Sequence, residues 1–83
     1  MNYPVVVEVN LRPGIADPEG ATIERALPAL GFTGVSAVRA GKSFRLLIDA
    51  PDEAAALEHA RALADRLLSN PVIEVATVRV SPS

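Results

Sequence analysis

Alternation dominates the start of the chain. Tyr3, Val5, Val7, Val9 and Leu11 share one face of an extended segment, and Pro4, Val6, Glu8 and Asn10 share the other. This period of two in β-branched residues predicts a strand over 3–11, with the first set toward the core. From Asp17 the period changes. Asp17 is placed to cap free N–H groups, Pro18 suits the first helical position, and Glu19 suits the positive end of the helix dipole. Ile23, Ala26, Leu27 and Leu30 then recur at helical spacing. Gly31 is expected to stop the helix in the left-handed conformation, with Phe32 where a Schellman cap folds back on Leu27. Pro28 has no N–H for the carbonyl of Glu24, so the last turn should kink or weaken.

Residues 34–48 read as a hairpin turning at Gly41-Lys42, which would pair Val38 with Arg45, Ala37 with Leu46 and Val35 with Ile48. Asp49-Ala50-Pro51-Asp52-Glu53 opens a second helix running to about Ser69. Its apolar stripe is Leu57, Ala60, Leu63, Ala64, Leu67 and Leu68, and Arg61 and Asp65 face solvent at i, i+4. Asn70-Pro71 ends it. Residues 72–80 form a last strand, with Val72, Val78 and Val80 on one face, and residues 81–83 read as a frayed tail.

The resulting order is β-α-β-β-α-β in a single α+β domain over 1–83. The expected architecture is an antiparallel four-stranded sheet with two helices on one face. Such a sheet leaves its second face uncovered. That face would carry Val6, Val38 and Leu47 among a few charges, too apolar to stand in water, and is expected to pack on another copy or a partner protein.

Composition narrows the function. Net charge is −2, from eight basic and ten acidic residues spread along the chain, with no basic run or aromatic-basic interleaving of a nucleic-acid surface. No apolar run approaches the ~20 residues of a membrane span, and the first residues read as a strand rather than a signal peptide. A cytoplasmic protein is therefore expected. Cysteine is absent, which excludes disulfides, thiolate metal sites and cysteine nucleophiles. So small a core is expected to need support from oligomerisation.

Candidate chemistry is sparse. His59, the one histidine, has no serine or second histidine at triad or metal spacing. The carboxylates of Asp17 and Glu19, and of Asp49, Asp52 and Glu53, sit at helix starts, where capping accounts for them. Arg12 and Lys42 are not explained by helix or strand propensity. Each lies near a glycine in a predicted loop and suits contact with an anionic or carbonyl-rich partner surface. Arg12-Pro13-Gly14 lacks the glycine spacing of a phosphate-binding loop. No catalytic or metal residue is assigned.

Several motifs stand in register over nearly the whole chain: the strand over 5–11 followed by Arg12-Pro13-Gly14 and Asp17-Pro18-Glu19-Gly20; Ala26-Leu27 and Leu30-Gly31-Phe32; Val38-Arg39 with Gly41-Lys42; and Leu67-Leu68-Ser69-Asn70-Pro71-Val72-Ile73-Glu74. In these the chain resembles the small PurS-type subunit of phosphoribosylformylglycinamidine synthase, departing from it at Pro28. The resemblance implies a PurS-like, ferredoxin-like fold and a non-catalytic role in de novo purine biosynthesis. A PurQ-type glutaminase subunit would release ammonia. A PurL-type synthetase subunit would use ATP and magnesium to convert formylglycinamide ribonucleotide (FGAR) to the amidine (FGAM). The small subunit, as a homodimer or homotetramer and without a cofactor of its own, would bridge the two and couple ammonia transfer to synthesis. By resemblance Arg12, Asp17, Gly31, Lys42, Asn70, Pro71 and Glu74 fall in or near partner-contacting loops.

The same element order serves unrelated functions. An ACT-like regulatory domain would bind a small molecule at the first strand–helix loop, using Arg12, Gly14 and Asp17. An acylphosphatase-like enzyme would need a phosphate-cradling arginine loop, from which Pro13 removes a donor, and an asparagine on the central hairpin, whereas Asn70 follows the second helix. A metal-chaperone version would need paired cysteines.

Overall fold

A computed structural model describes residues 1–81. Strand β1 (Asn2–Leu11) is the central strand of a three-stranded sheet, flanked by β2 (Gly41–Asp49) and β3 (Glu74–Val80), both antiparallel to it. The registers place Val5 opposite Leu46 and Val80, and Val7 opposite Phe44 and Val78. Tyr3, Val5, Val7 and Val9 thus share a face with Phe44, Leu46, Ile48, Ala76 and Val78. Helix α2 (Glu53–Leu63) packs there.

The core is built from small side chains. Val5, Val7 and Val9 are fully buried against Ala60 and Ala64, with Ala56 buried on the same helix face. An alanine stripe at i, i+4, i+8 lets the helix axis approach the valines closely, and β-branched residues fill the pleat beneath it. Asp52 starts α2 by accepting the N–H of Ala55 at 2.8 Å. The helix then widens into one π turn, Ala64–Leu68, closed by the Ser69 N–H on the Ala64 carbonyl at 2.9 Å. The extra residue changes the phase of the stripe. Leu68 packs on the core, whereas Leu67, expected beside it, is exposed.

Helix α1 (Pro18–Ala26) forms where expected and stops early for the expected reason. Without a donor on Pro28, the chain tightens into a 3-10 turn, Pro28–Leu30. Gly31 follows at φ 89°, its N–H on Pro28 O at 3.1 Å and the Phe32 N–H on Leu27 O at 3.0 Å. That is the bond pattern of a Schellman cap.

Two expectations about the architecture fail. The sheet has three strands, not four: residues 34–40 form no strand, and the predicted pairing of 35–38 with 45–48 is absent. Ala37 adopts φ 57°, off the extended region. The N–H groups of Val38 and Ala40 go to the carboxylates of Glu24 and Asp17 rather than to a ladder. Gly41-Lys42 is accordingly the start of β2 and not a turn. Nor do both helices cover the sheet. Of the helices and strands among the described residues, α1 makes substantial contact only with its own 3-10 continuation, while α2 carries the contact with the strands. Residues 18–40 therefore form an arm that leaves the end of β1 and returns into β2. The Cα radius of gyration is 16.1 Å, with extents of 51 × 30 × 14 Å, against about 12 Å for a compact chain of this length.

At the other end Ser81, expected in a frayed tail, is half-buried and donates its N–H to Pro4 O at 2.8 Å. The rest of that tail, 82–83, lies outside the described residues. No helix among those residues is long and apolar enough to cross a membrane.

The close approach of α2 to β1 predicts low tolerance at its alanines. Ala60→Leu adds three carbons where the residue is 0% exposed. It should cost about 1–3 kcal/mol, read as a lower Tm, whereas the same change at exposed Ala62 should be near neutral.

Candidate functional site

The antiparallel registers bring the C-terminal end of β1 and the N-terminal ends of β2 and β3 together, with Leu11 opposite Glu74 and Asn10 opposite Gly41. Six of the seven loop residues singled out in the sequence gather at or next to this end. After β1, Arg12-Pro13-Gly14-Ile15 makes a tight turn, with the Ile15 N–H on Arg12 O at 3.2 Å and Gly14 at φ 86°. Proline then glycine at the two central positions suits a type II turn. The Arg12 guanidinium reaches across to the turn before β3, donating to Pro71 O from Nε at 3.0 Å and from Nη2 at 2.8 Å. Its backbone N–H meets Ile73 O at 2.8 Å.

Asn70 shapes that second turn. Its side-chain oxygen accepts from Val72 N at 3.1 Å, and its carbonyl accepts from Ile73 N at 3.1 Å and Glu74 N at 2.8 Å. Glu74 Oε1 in turn accepts the Asn70 N–H at 2.7 Å, and its Oε2 lies 3.6 Å from Lys42 Nζ. Arg12, Pro71, Asn70, Glu74 and Lys42 thus form one connected polar network across the ends of all three strands. The Arg12 and Lys42 cations remain exposed at its rim.

Asp17 joins this end to the arm. Oδ1 accepts the Gly20 N–H at 2.9 Å, Oδ2 accepts the Ala40 N–H at 2.8 Å, and Arg39 Nε stands 3.8 Å away. The bond from Gly20, then that from Ala40, with a smaller contribution from Arg39, holds the Asp17 carboxyl below its ordinary 3.8 against the opposing effect of burial. About two turns along, Glu24 Oε1 accepts the Val38 N–H at 2.9 Å. The outgoing helix and returning segment of the arm are therefore stitched by two carboxylates. Gly20 allows the approach: a Cβ there would lie 2.6 Å from both Asp17 Oδ2 and Val38 O. A shallow cleft of about 230 Å³ opens at the junction, between Val9, Leu11, Asp17, Glu19, Lys42 and Glu74.

Gly31 is not part of this cluster; it caps the 3-10 turn within the arm. The set expected on the second sheet face also divides. Val6 and Leu47 do share the face away from α2, Val6 being 6% and Leu47 71% exposed. Val38 belongs to the arm and not to the sheet. The face also carries the charges expected on it, Arg45 and Glu8, with Glu8 paired to Arg79 at 2.6 Å. Gly20 and Glu24, which carry the arm's internal bonds, were missed as site residues. Their spacing from Asp17 at i+3 and i+7 on one helix flank was the available signal. His59 is exposed on α2.

Protonation of Asp17 releases the carboxylate that two amides hold. Stability from it is complete above about 3.8, the ordinary value, and is lost as pH falls through the lower folded value. The Gly20 and Ala40 amide resonances should titrate together in acid with a midpoint below 3.8, measured by 1H–15N NMR. In Asp17→Asn that titration should vanish. A midpoint at or above the ordinary value would contradict the assignment.

The family model that matches residues 4–82 is PurS, phosphoribosylformylglycinamidine (FGAM) synthase. A phosphoribosylformylglycinamidine synthase subunit PurS from Synechocystis is 44% identical over 73 residues, covering 88% of this chain and 73% of that protein. The crystal structure of the purS subunit from Thermotoga maritima superposes with a TM-score of 0.91 at 33% identity, covering 98% of this chain and 93% of that one. A chain of the structure of PurLQS from the same organism superposes at 0.90 and 33% identity, covering 98% and 99%.

Proposed function

The chain belongs to the PurS family of phosphoribosylformylglycinamidine synthase subunits in purine biosynthesis, and from that membership we propose how it acts. It is a non-catalytic subunit that brings a glutaminase and an ATP-dependent synthetase together, so that ammonia released from glutamine is delivered to the conversion of FGAR to FGAM. The carrying observation is the match over nearly its whole length to a chain of a PurLQS structure. The chain works in the cytoplasm as a homo-oligomer and holds no cofactor; ATP and magnesium serve the synthetase. Relatives and solved structures that share the PurS name favour this over a ligand-sensing domain.

The polar end of the sheet suits such a role. Its network sets the backbone of two turns and leaves Arg12 and Lys42 at the rim, where cations meet acidic or carbonyl-rich partner surfaces. The Lys42–Glu74 pair is half in solvent and contributes about 0–1 kcal/mol to the fold, so Lys42 can be changed without unfolding the chain.

Reconstitution tests this. Synthetase and glutaminase subunits from the same cell are assayed for FGAM formation from glutamine and, separately, from free ammonia. Omitting this chain should abolish the glutamine-dependent reaction and spare the ammonia-dependent one; equal rates with and without it would overturn the role. Lys42→Glu, with circular dichroism unchanged, should weaken assembly about tenfold, equivalent to about 1.4 kcal/mol, and lower glutamine-dependent turnover at limiting subunit.

A further inference from the structure

Two large apolar side chains stand in water on a tightly braced segment. Leu67 is 74% and Val72 80% exposed, with Met1 the highest values among the large apolar residues described. Leu67 has the helical spacing of the core stripe of α2, yet the π turn rotates it outward while Leu68 takes the core position. Single π turns recur at functional sites. Val72 lies in the turn that follows, its N–H on Asn70 Oδ1 at 3.1 Å.

The backbone between the two is fixed at several points. The Ser69 N–H and hydroxyl both donate to Ala64 O, at 2.9 and 2.8 Å. The Arg12 fork holds Pro71 O, and Ile73 O accepts the Arg12 N–H at 2.8 Å. A slack loop would let its apolar side chains fold back on the body. This one presents them, and little further ordering is left for binding to supply.

The charge around the pair is of one sign. Arg12 and Arg66 are exposed and, among the described residues, stand in no ion pair. The nearby carboxylate of Glu74 is occupied by the Asn70 N–H and Lys42. Asp65 precedes Leu67 by two residues, about 200° around the helix, and so lies on its far side. Apolar prongs bordered by unpaired guanidiniums fit a surface that is apolar at the centre and acidic at the rim. A second copy does not offer that surface. A twofold contact would bring the same patch to both sides, opposing cation to cation with no free carboxylate to meet either.

We infer that Leu67 and Val72 are the apolar anchors by which this chain docks on the glutaminase subunit, with Arg12 and Arg66 meeting carboxylates at the rim of the socket. The choice between the two catalytic subunits is electrostatic and rests on the bridging role proposed above. The synthetase binds ATP and a ribonucleotide, and a site built for two phosphorylated ligands carries cationic potential around its openings, which repels these guanidiniums. The glutaminase binds glutamine, which has no net charge, and releases ammonia; neither conflicts with an acidic rim. Arg12 then has two tasks, since its fork on Pro71 also fixes the turn that presents Val72.

The lack of cysteine gives a direct readout. Val72→Cys is labelled with a benzophenone maleimide, reconstituted with synthetase and glutaminase under turnover and irradiated. Crosslinking to the glutaminase is expected, and none from His59→Cys, exposed on α2. A product with the synthetase or with a second copy in place of the glutaminase, or no product, would overturn the assignment. In a second measurement, Leu67→Ser with Val72→Ser should raise by about tenfold or more the concentration of this chain that half-saturates glutamine-dependent FGAM formation. The ammonia-dependent rate, sedimentation mass and far-ultraviolet spectrum should stay as in the parent. An unchanged half-saturation, with the parent chain still required, removes the anchors and spares the bridging role. A reaction that does not require the parent chain removes both.

Discussion

The shape of this molecule depends on where two backbone N–H groups go. Those of Val38 and Ala40 are accepted by Glu24 and Asp17, carboxylates about two turns apart on the α1 flank. Hydrogen bonds to ionised acceptors are roughly twice as strong as neutral ones, so the returning segment follows α1 instead of pairing with β2. From that choice come the loss of the fourth strand, the free edge of β2 and the projection of the arm. Gly20 makes the geometry possible, because any Cβ there would enter the Asp17 carboxylate and the Val38 carbonyl. Asp17 does double duty as helix cap and as latch.

Local signals in the sequence were read well wherever a backbone group had one obvious partner. The alternating valines of β1, the capping aspartates of both helices and the Gly31 stop all work by short-range geometry, and each forms as its residues dictate. Pro28 is the clearest case: a missing donor shortens the helix by one turn and converts the remainder to 3-10. The hairpin was illegible for a related reason. Val35, Val38 and Gly41 carry the right residue types for two strands and a turn, but carboxylates of the α1 flank take the N–H groups of Val38 and Ala40 from 14 and 23 positions away. Alternation cannot report that competition. The π turn after α2 was hidden likewise, since one inserted residue shifts Leu67 and Leu68 without altering the composition of the stripe.

The candidate site was legible as a set of residues and not as a network. Arg12 and Lys42 stand out by unexplained charge, Asn70 and Pro71 by turn chemistry, and Glu74 by resemblance alone, all in separate stretches. Antiparallel pairing of β1 with both neighbours then places those stretches at one end. Most of their polar groups have structural partners there: the Arg12 fork on Pro71, the Asn70 turn and the Glu74 bonds. Val38 falls elsewhere because it was placed through the hairpin, and without it the residue belongs to the arm; Gly31, placed near partner-contacting loops by resemblance, caps the 3-10 turn of the same arm.

The distribution of apolar bulk also separates the body from its contacts. The fully buried core is valine and alanine; its largest side chains are Val5, Val7 and Val9. Leu30, Phe32, Leu47, Leu67 and Val72 are all exposed. A globular chain of this length ordinarily places its leucines and phenylalanines inside, because burying one stabilises by about 1.5–3 kcal/mol. Here a fully buried valine–alanine layer, with Phe44, Leu46, Ile48 and Leu68 partly buried at its margin, orders the sheet against α2, and the other large apolar residues lie on the arm, on the turn after α2 and on the bare face. That division suits a subunit whose work is contact. Its fold is held by close backbone approach, and its association free energy is carried by residues that a single copy leaves in water.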